Sequence, residues 1–304
     1  MYKVAVLMST YNGEKYLREQ IDSILAQKGV DLTLYIRDDG SSDGTIEVIK
    51  EYIAKTDKIK LNIGKNIGVG NSFMQLIYDC PEGYDYYAFS DQDDIWLVEK
   101  LHVAVEMLKE YYNPILYCSN QMLVDKNGDE IGLRHSKPVD ISYLQILCNN
   151  MITGCTMVWN RKLQDFLTEK ANRPSSNLLH KRIHDVWVAM VASVVGEIRY
   201  DERAYIQYRQ HENNVVGVKK VSLVKEWKKK FQNKELRNGR STLAKEITTI
   251  FSGQLMNNKE MKDRLLLCAK YQGNKMKLFR DTEIRFHSNE GTLMYGMKIL
   301  LNLL

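Results

Sequence analysis

The run FSDQDDIWLVEK, Phe89 to Lys100, sets three carboxylates, Asp91, Asp93 and Asp94, within four positions. In an extended segment residues i and i+2 point the same way, so Asp91 and Asp93 can face one cation. Hard oxygen donors suit Mg2+ or Mn2+, and Mg2+ commonly binds through one or two carboxylates together with substrate phosphates. A divalent ion carrying a nucleotide diphosphate would offset the repulsion among the three charges. The competing reading is an acidic first helical turn, which Asp also favours. A second acidic pair, Asp38-Asp39, precedes Gly40-Ser41-Ser42-Asp43-Gly44. Asp43 is placed to cap a helix starting at Thr45. Asp39 is placed to hydrogen-bond a base edge or a ribose hydroxyl.

Strands and helices in alternation must hold these groups. KVAVLMS (3–9) is a continuous apolar run, as in a strand buried on both faces. Strands follow at 32–37, 59–64 and 84–90, with helices at 14–27, 45–55, after Asn66, and at 96–111. This spacing predicts β-α-β units and a doubly wound sheet. Ligands of such sheets bind beyond the carboxyl ends of the strands. Polar clusters fall at all four ends: Ser9–Asn12, Asp38–Asp43, Lys65–Asn71 and Ser90–Asp94. No GxGxxG follows the first strand, which disfavours dinucleotide binding. Later, 114–132 reads as a strand and a hairpin turned at Lys126-Asn127-Gly128, 141–150 as a short helix and 153–160 as a strand. HDVWVAMVASVVG (184–196) reads as a buried helix, 196–211 as a short hairpin, and the text from Ser222 as helical.

A chain of 304 residues can bury one large core or two smaller ones, and 44% hydrophobic with 27% charged residues is ordinary for a soluble globular protein. No apolar run reaches the roughly 20 residues of a membrane span. The N-terminal MYKVAVLMSTYN reads as a strand rather than a signal peptide. Five cysteines without a CxxC pair indicate reduced thiols in a cytoplasmic protein and no zinc site. Charge is divided unevenly: residues 219–304 carry 19 Lys+Arg against 8 Asp+Glu, while 1–218 carry 24 against 30. We place a boundary near 217–222, between an α/β domain (1–218) and a basic helical region (219–304).

STYNGEKYLREQIDSILAQ, IRDDGSSDGT, GKNIGVGNSF and FSDQDDIW, in this order, resemble the successive motifs of inverting nucleotide-sugar glycosyltransferases of family 2, over roughly residues 3–216. The resemblance implies an α/β fold of the glycosyltransferase-A type, an αβα sandwich with a mostly parallel sheet, and a Mn2+- or Mg2+-dependent site. Thr10, Tyr11 and Asn12 would line the base, Asp39 the base or ribose, and Lys65 would lie near the nucleotide. Asp91 and Asp93 would hold ribose and metal. The segment 152–160 resembles the strand of the donor and acceptor cleft, which places Thr153, Gly154, Cys155 and, further on, Trp187 there, although core packing is the plainer reading of Trp187. His184-Asp185-Val186-Trp187 stands where the family has its catalytic carboxylate. His184 replaces an acidic residue and spares Asp185, which would be the base. YRQHENN (208–214) resembles a segment of members that transfer L-rhamnose from its thymidine diphosphate. There Arg209 would face the diphosphate and His211 complete the metal shell.

The expected function is therefore transfer of a sugar, L-rhamnose from dTDP-β-L-rhamnose, to a bacterial cell-surface polysaccharide. The expected acceptor is a saccharide on a polyprenyl diphosphate. UDP-galactose, UDP-glucose and UDP-N-acetylhexosamine are alternative donors, and a non-catalytic nucleotide- or polysaccharide-binding protein is the alternative class. In VSLVKEWKKKFQNKELRNGR (221–240), Leu223, Val224, Trp227 and Phe231 fall near one face with lysines around it, as in an interfacial helix. Its expected partner is an anionic membrane surface at the inner face of the cell membrane, or a second subunit. The apolar stripe and the lack of a base-reading motif exclude nucleic acid.

Overall fold

The computed structural model describes residues 1–211 and 238–304. Strands β1 (Tyr2–Thr10), β2 (Val30–Asp38), β3 (Ile59–Ile63) and β4 (Tyr86–Ser90) run parallel. With β5 (Ile95–Trp96), β6 (Ile115–Val124), β7 (Glu130–Leu133), β8 (Val158–Asn160) and β9 (Glu197–Arg209) they form one mixed sheet in the order β3-β2-β1-β4-β8-β6-β9-β5, with β7 on β6. The short β8 lies antiparallel between β4 and β6.

Alternation along β1 sets the layers. Val4, Val6 and Met8 join an apolar cluster with residues of α1 (Glu14–Leu25), α2 (Thr45–Ile53) and the helix Lys100–Leu108. Ala5 and Leu7 join another with α3 (Val69–Asp79). Numbering Lys100–Leu108 as α4, the second layer continues through α5 (Tyr143–Asn149), α6 (Arg161–Thr168), α7 (Ser176–Lys181) and α8 (His184–Val195). Burial on both faces of β1 and β4 explains why these two strands read as apolar text, while β2 and β3, nearer the edge, alternate. Gly196 ends α8: a Cβ there would come within 1.9 Å of the Pro114 carbonyl oxygen, and the next amide, of Glu197, donates to that oxygen at 3.1 Å. Only glycine lets the helix turn so tightly into β9.

The C-terminal helices α9 (Gly239–Ile250), α10 (Lys259–Ala269), α11 (Lys275–Arg280), α12 (Thr282–His287) and α13 (Thr292–Leu300) pack on that second layer. Leu243, Ala244, Ile247 and Phe251 share one cluster with Phe73, Trp159 and Trp187. The described part of the basic region thus shares the core of the α/β body.

Three sequence expectations are corrected. The helix expected from Trp96 starts at Lys100, because Ile95 and Trp96 pair antiparallel with Gln207 and Ile206 of β9. The strand expected over 153–160 is confined to Val158–Asn160, after a 3-10 turn at Gly154–Thr156. The hairpin expected over 196–211 is one 13-residue strand, parallel to β6. Its pairing slips between Ser119↔Asp201 and Asn120↔Ala204. Asp201 accepts from the Arg203 amide at 3.0 Å, so the extra residues form a bulge where a turn was expected. The expected boundary at 217–222 and most of the interfacial helix lie outside the described residues.

Candidate active site

The polar ends of β1, β2, β3 and β4 meet, and hydrogen bonds knit them together. Asn12 takes φ +48°, a left-handed value that Asn tolerates. There its amide donates to Ser41 Oγ at 2.9 Å and its Oδ1 accepts from the Ser42 amide at 2.8 Å. Gln92 grips the Tyr11 backbone twice, accepting from its amide at 2.9 Å and donating to its carbonyl at 3.2 Å. Asp38, fully buried, accepts from Thr10 Oγ1 at 3.0 Å and from the Ser41 amide at 2.9 Å. Asp43 is corrected as the cap of α2: Gly44 holds that position, and Asp43, one residue earlier, accepts from the Thr45 amide at 3.1 Å and the Glu14 amide at 3.2 Å, tying α2 to α1. Asp39 is buried; it pairs with Arg37 and accepts from the Ile67 and Gly68 amides, each at 3.0 Å. A carboxylate offers about four acceptor sites, so one remains after these donors. Tyr11 exposes its ring at this rim, and Lys65 is exposed on the neighbouring loop.

The acidic loop is tied to the end of β9. Asp94, buried, accepts from the Arg209 amide at 3.1 Å, and Arg209 Nε donates to the Asp93 carbonyl at 3.2 Å. Arg209 also reaches Glu19 of α1 at 2.5 Å and lies over the Tyr16 ring. His211 Nε2 is 2.7 Å from Asp93 Oδ2. Asp91, Asp94 and Cys155 bring their ligand atoms within 4.8 Å of one another. Burial, with Asp93 and Asp185 adding repulsion, pushes the Asp91 carboxyl up to about 7. Asp94 Oδ2 is buried without a hydrogen-bond partner. This surplus of buried negative charge is what a hard divalent cation would relieve. The Cys155 thiol is pushed well above its usual range by burial, and Gln121 Nε2 donates to its sulfur at 3.1 Å. A thiol held neutral is a poor ligand for such an ion, so the oxygen donors are the fitting set.

Asp185 opens α8 and is 8% exposed. Its carboxylate accepts from the Val186 amide at 2.6 Å. Burial pushes its pKa up to about 6, against the amides of Val186 and Gly154 and the cations of Arg182 and Arg134. Gly154 is required beside it: a Cβ would come within 2.9 Å of His184 Nε2 and 3.4 Å of the Asp185 Cβ. His184 is stacked 3.9 Å from Phe73, and burial pushes its pKa down to about 3, so it stays a neutral packing residue. Thr153 bonds Gln121 at 3.3 Å, next to Gly154 and Cys155. Trp187 is corrected: it is fully buried, 6.2 Å from Phe251, and faces the core, since its position on α8 turns it away from Asp185.

Sequence reasoning missed Glu19, Gln121, Arg134 and Lys100. Lys100 is 1% exposed, with Nζ 3.6 Å from the centre of the Trp96 ring, and burial pushes its pKa down to about 7. A Lys opening an amphipathic helix gives no signal of burial. The WxxxK spacing becomes informative only once Trp96 is known to lie in a strand.

The glycosyl transferase family 2 model matches residues 5–166. The chain is 33% identical over 220 residues to the dTDP-rhamnosyl transferase RfbG of Shigella flexneri, covering 69% of this chain and 73% of that protein. It is 25% identical over 228 residues to the UDP-Glc:alpha-D-GlcNAc-diphosphoundecaprenol beta-1,3-glucosyltransferase WfgD of Escherichia coli, covering 74% and 84%. Among solved structures, S. aureus TarS 1–349 superposes with a TM-score of 0.59 at 15% identity, over 98% of this chain and 80% of that one. The shared fold is the glycosyltransferase-A type, with added C-terminal helices.

Proposed function

We infer that this chain, which belongs to glycosyl transferase family 2, transfers L-rhamnose from dTDP-β-L-rhamnose, with inversion, to a growing bacterial cell-surface saccharide. The observation that carries the reading is a buried carboxyl group, Asp185, packed against Gly154, whose chain neighbour Cys155 has its ligand atom within 4.8 Å of those of Asp91 and Asp94. The choice of donor is supported by the dTDP-rhamnosyl transferase at 33% identity.

In this reading Tyr11, Asn12 and Thr10 line the base, Asp39 contacts the base or ribose, and Lys65 and Arg209 approach the diphosphate. Asp91, Asp93 and His211 would hold Mn2+ or Mg2+, with Asp94 close behind. Such a cation, when bound, neutralises charge growing on the leaving diphosphate. Arg209 adds positive charge on the same side. Asp185 takes the proton of the acceptor hydroxyl as its oxygen forms a bond to the anomeric carbon. The bond from that carbon to the diphosphate oxygen breaks on the opposite face, and the nucleoside diphosphate leaves. Thr153, Gly154 and Cys155 bound the cleft between donor and acceptor.

A UDP-sugar donor (UDP-glucose, UDP-galactose or UDP-N-acetylhexosamine) is the second reading, supported by the UDP-Glc-dependent relative at 25% identity. That relative's name also supports a saccharide on a polyprenyl diphosphate as acceptor, and a lipid-borne acceptor of this kind would draw the protein to the inner face of the cell membrane. No helix among the described residues is long and apolar enough to cross a membrane. Thermal unfolding with dTDP and with UDP, each with and without Mn2+, followed by incubation with dTDP-rhamnose, tests the proposal. Metal-dependent stabilisation by dTDP and release of dTDP are expected. Stabilisation by UDP alone would move the donor to the second reading. No response to either nucleotide would favour a non-catalytic protein.

A further inference from the structure

Beside Asp185, the α/β body and the C-terminal helices line a cleft of about 550 Å³ that opens to solvent. Arg134, Arg182 and Arg240 line it. None of the three forms an ion pair among the described residues. Arg240 is 5% exposed and donates to Ser288 Oγ at 3.0 Å and to the Cys148 carbonyl at 3.2 Å, while its Nε has no partner. Arg134 Nη1 is likewise buried and unpartnered. Arg182 donates to the Leu147 carbonyl at 3.1 Å, and burial together with the nearby Arg240 pushes its pKa down to about 10. The one other acidic side chain on this wall, Glu290, is already paired with Lys298 at 2.5 Å.

Three guanidinium groups face the single unpaired acidic side chain Asp185 on this wall, and such an excess of like charge is costly unless something anionic joins it. Guanidinium forks match the oxygens of a phosphate in pairs. Asp91, Asp93 and Arg209 do not line this cavity, so it is separate from the side assigned to the donor diphosphate. Ile152, Leu303 and Leu304 complete the wall with apolar surface.

We propose that this cavity is the acceptor site and takes a phosphate or diphosphate ester, its anionic group held between Arg182 and Arg240 and its acceptor hydroxyl directed to Asp185. The proposal rests on the assignment of Asp185 as base. It makes the acceptor anionic, and it gives the C-terminal helices a part in choosing it.

Calorimetric titration of the full chain, saturated with dTDP and Mg2+, with farnesyl diphosphate, inorganic pyrophosphate and farnesol as probes, is the test. Farnesyl diphosphate should bind, and farnesol should bind at least about 100-fold more weakly. Arg182→Gln should weaken the diphosphate about tenfold or more with dTDP affinity unchanged, and Arg182→Lys should restore part of the loss. Pyrophosphate binding as tightly as farnesyl diphosphate would assign the affinity to the free anion, and weaker binding would assign it to the ester; both support the site. Equal binding of farnesol and farnesyl diphosphate would overturn it on the wild-type protein alone, as would an unaltered Arg182→Gln variant. Failure of dTDP itself to bind would sink the donor reading separately, because the diphosphate arms still report on the cavity.

Discussion

A carboxyl group closed off from water is harder to ionise, and burial pushes Asp185 up to about 6. As a base it must be ionised, so kcat/KM should fall as pH drops through about 6. Stability runs the other way. A folded-state pKa above the unfolded one contributes stability that is fully present below the unfolded value, near 4, and is lost as pH rises through about 6. Asp185→Asn should therefore lower transfer by about 10²–10⁴-fold. At pH 7.5 it should raise stability by an amount on the order of 1–3 kcal/mol, an advantage that disappears at pH 4. Urea unfolding at the two pH values, beside a transfer assay, reads both effects. Full activity in the variant would remove Asp185 as base, and equal destabilisation at both pH values would contradict its burial as an ionised group. The carboxylates of the site were legible because their chemistry shows in type and spacing. Lys100 and Arg134 were not, since nothing local distinguishes a buried cation from a solvated one; only the packing of Lys100 against Trp96, or of Arg134 into the cavity, does so.

Elements whose partners are close in sequence were also legible. The first four strands and the helices among them follow from short apolar or alternating runs set between stretches of 3.6-residue period. The longest error fell on β9, where the polar text YDER (200–203) invited a turn; the parallel pairing with β6 that overrides it is made by residues about 80 positions away. Trp187 stands in a helix whose text already reads as buried; what the sequence did not show is that its core partners include the C-terminal helices. That contact supplies a test of what those helices do for the fold. Phe251 is fully buried, in the cluster that holds Trp187 and α9. Phe251→Ala removes a large apolar side chain that the surrounding structure can replace only partly, so it should cost about 3–5 kcal/mol. Affinity for dTDP in the surviving folded protein should be unchanged, because Phe251 lies apart from the β1–β4 rim. Chemical denaturation and titration measure the two quantities; a loss below about 1 kcal/mol would mean that the helices rest on the body without sharing its core.

Across the whole molecule, charge is sorted by task. Residues 1–218 carry an acid excess and 219–304 a basic one, 19 Lys+Arg against 8 Asp+Glu. Part of that basic charge is drawn inward, as Arg240 into the cavity beside Asp185. Between 219 and 237, outside the described residues, the sequence holds eight Lys+Arg against two Asp+Glu, with Trp227 and Phe231 among them. Each basic residue near an anionic bilayer contributes about 1 kcal/mol, so several acting together suffice for reversible docking. A protein whose acceptor bears phosphate and a lipid would gain from such docking, because it would hold the cavity near the surface that supplies the acceptor. The full chain should then sediment with vesicles containing phosphatidylglycerol at low salt and be released near 1 M salt, where the screening length falls to about 3 Å. Replacing Lys228, Lys229 and Lys230 together with Gln should reduce the bound fraction several-fold while leaving dTDP binding intact. Retention at high salt would point instead to apolar insertion through Trp227 and Phe231. Absence of sedimentation at low salt would assign the basic segment to a sister subunit or to solvent.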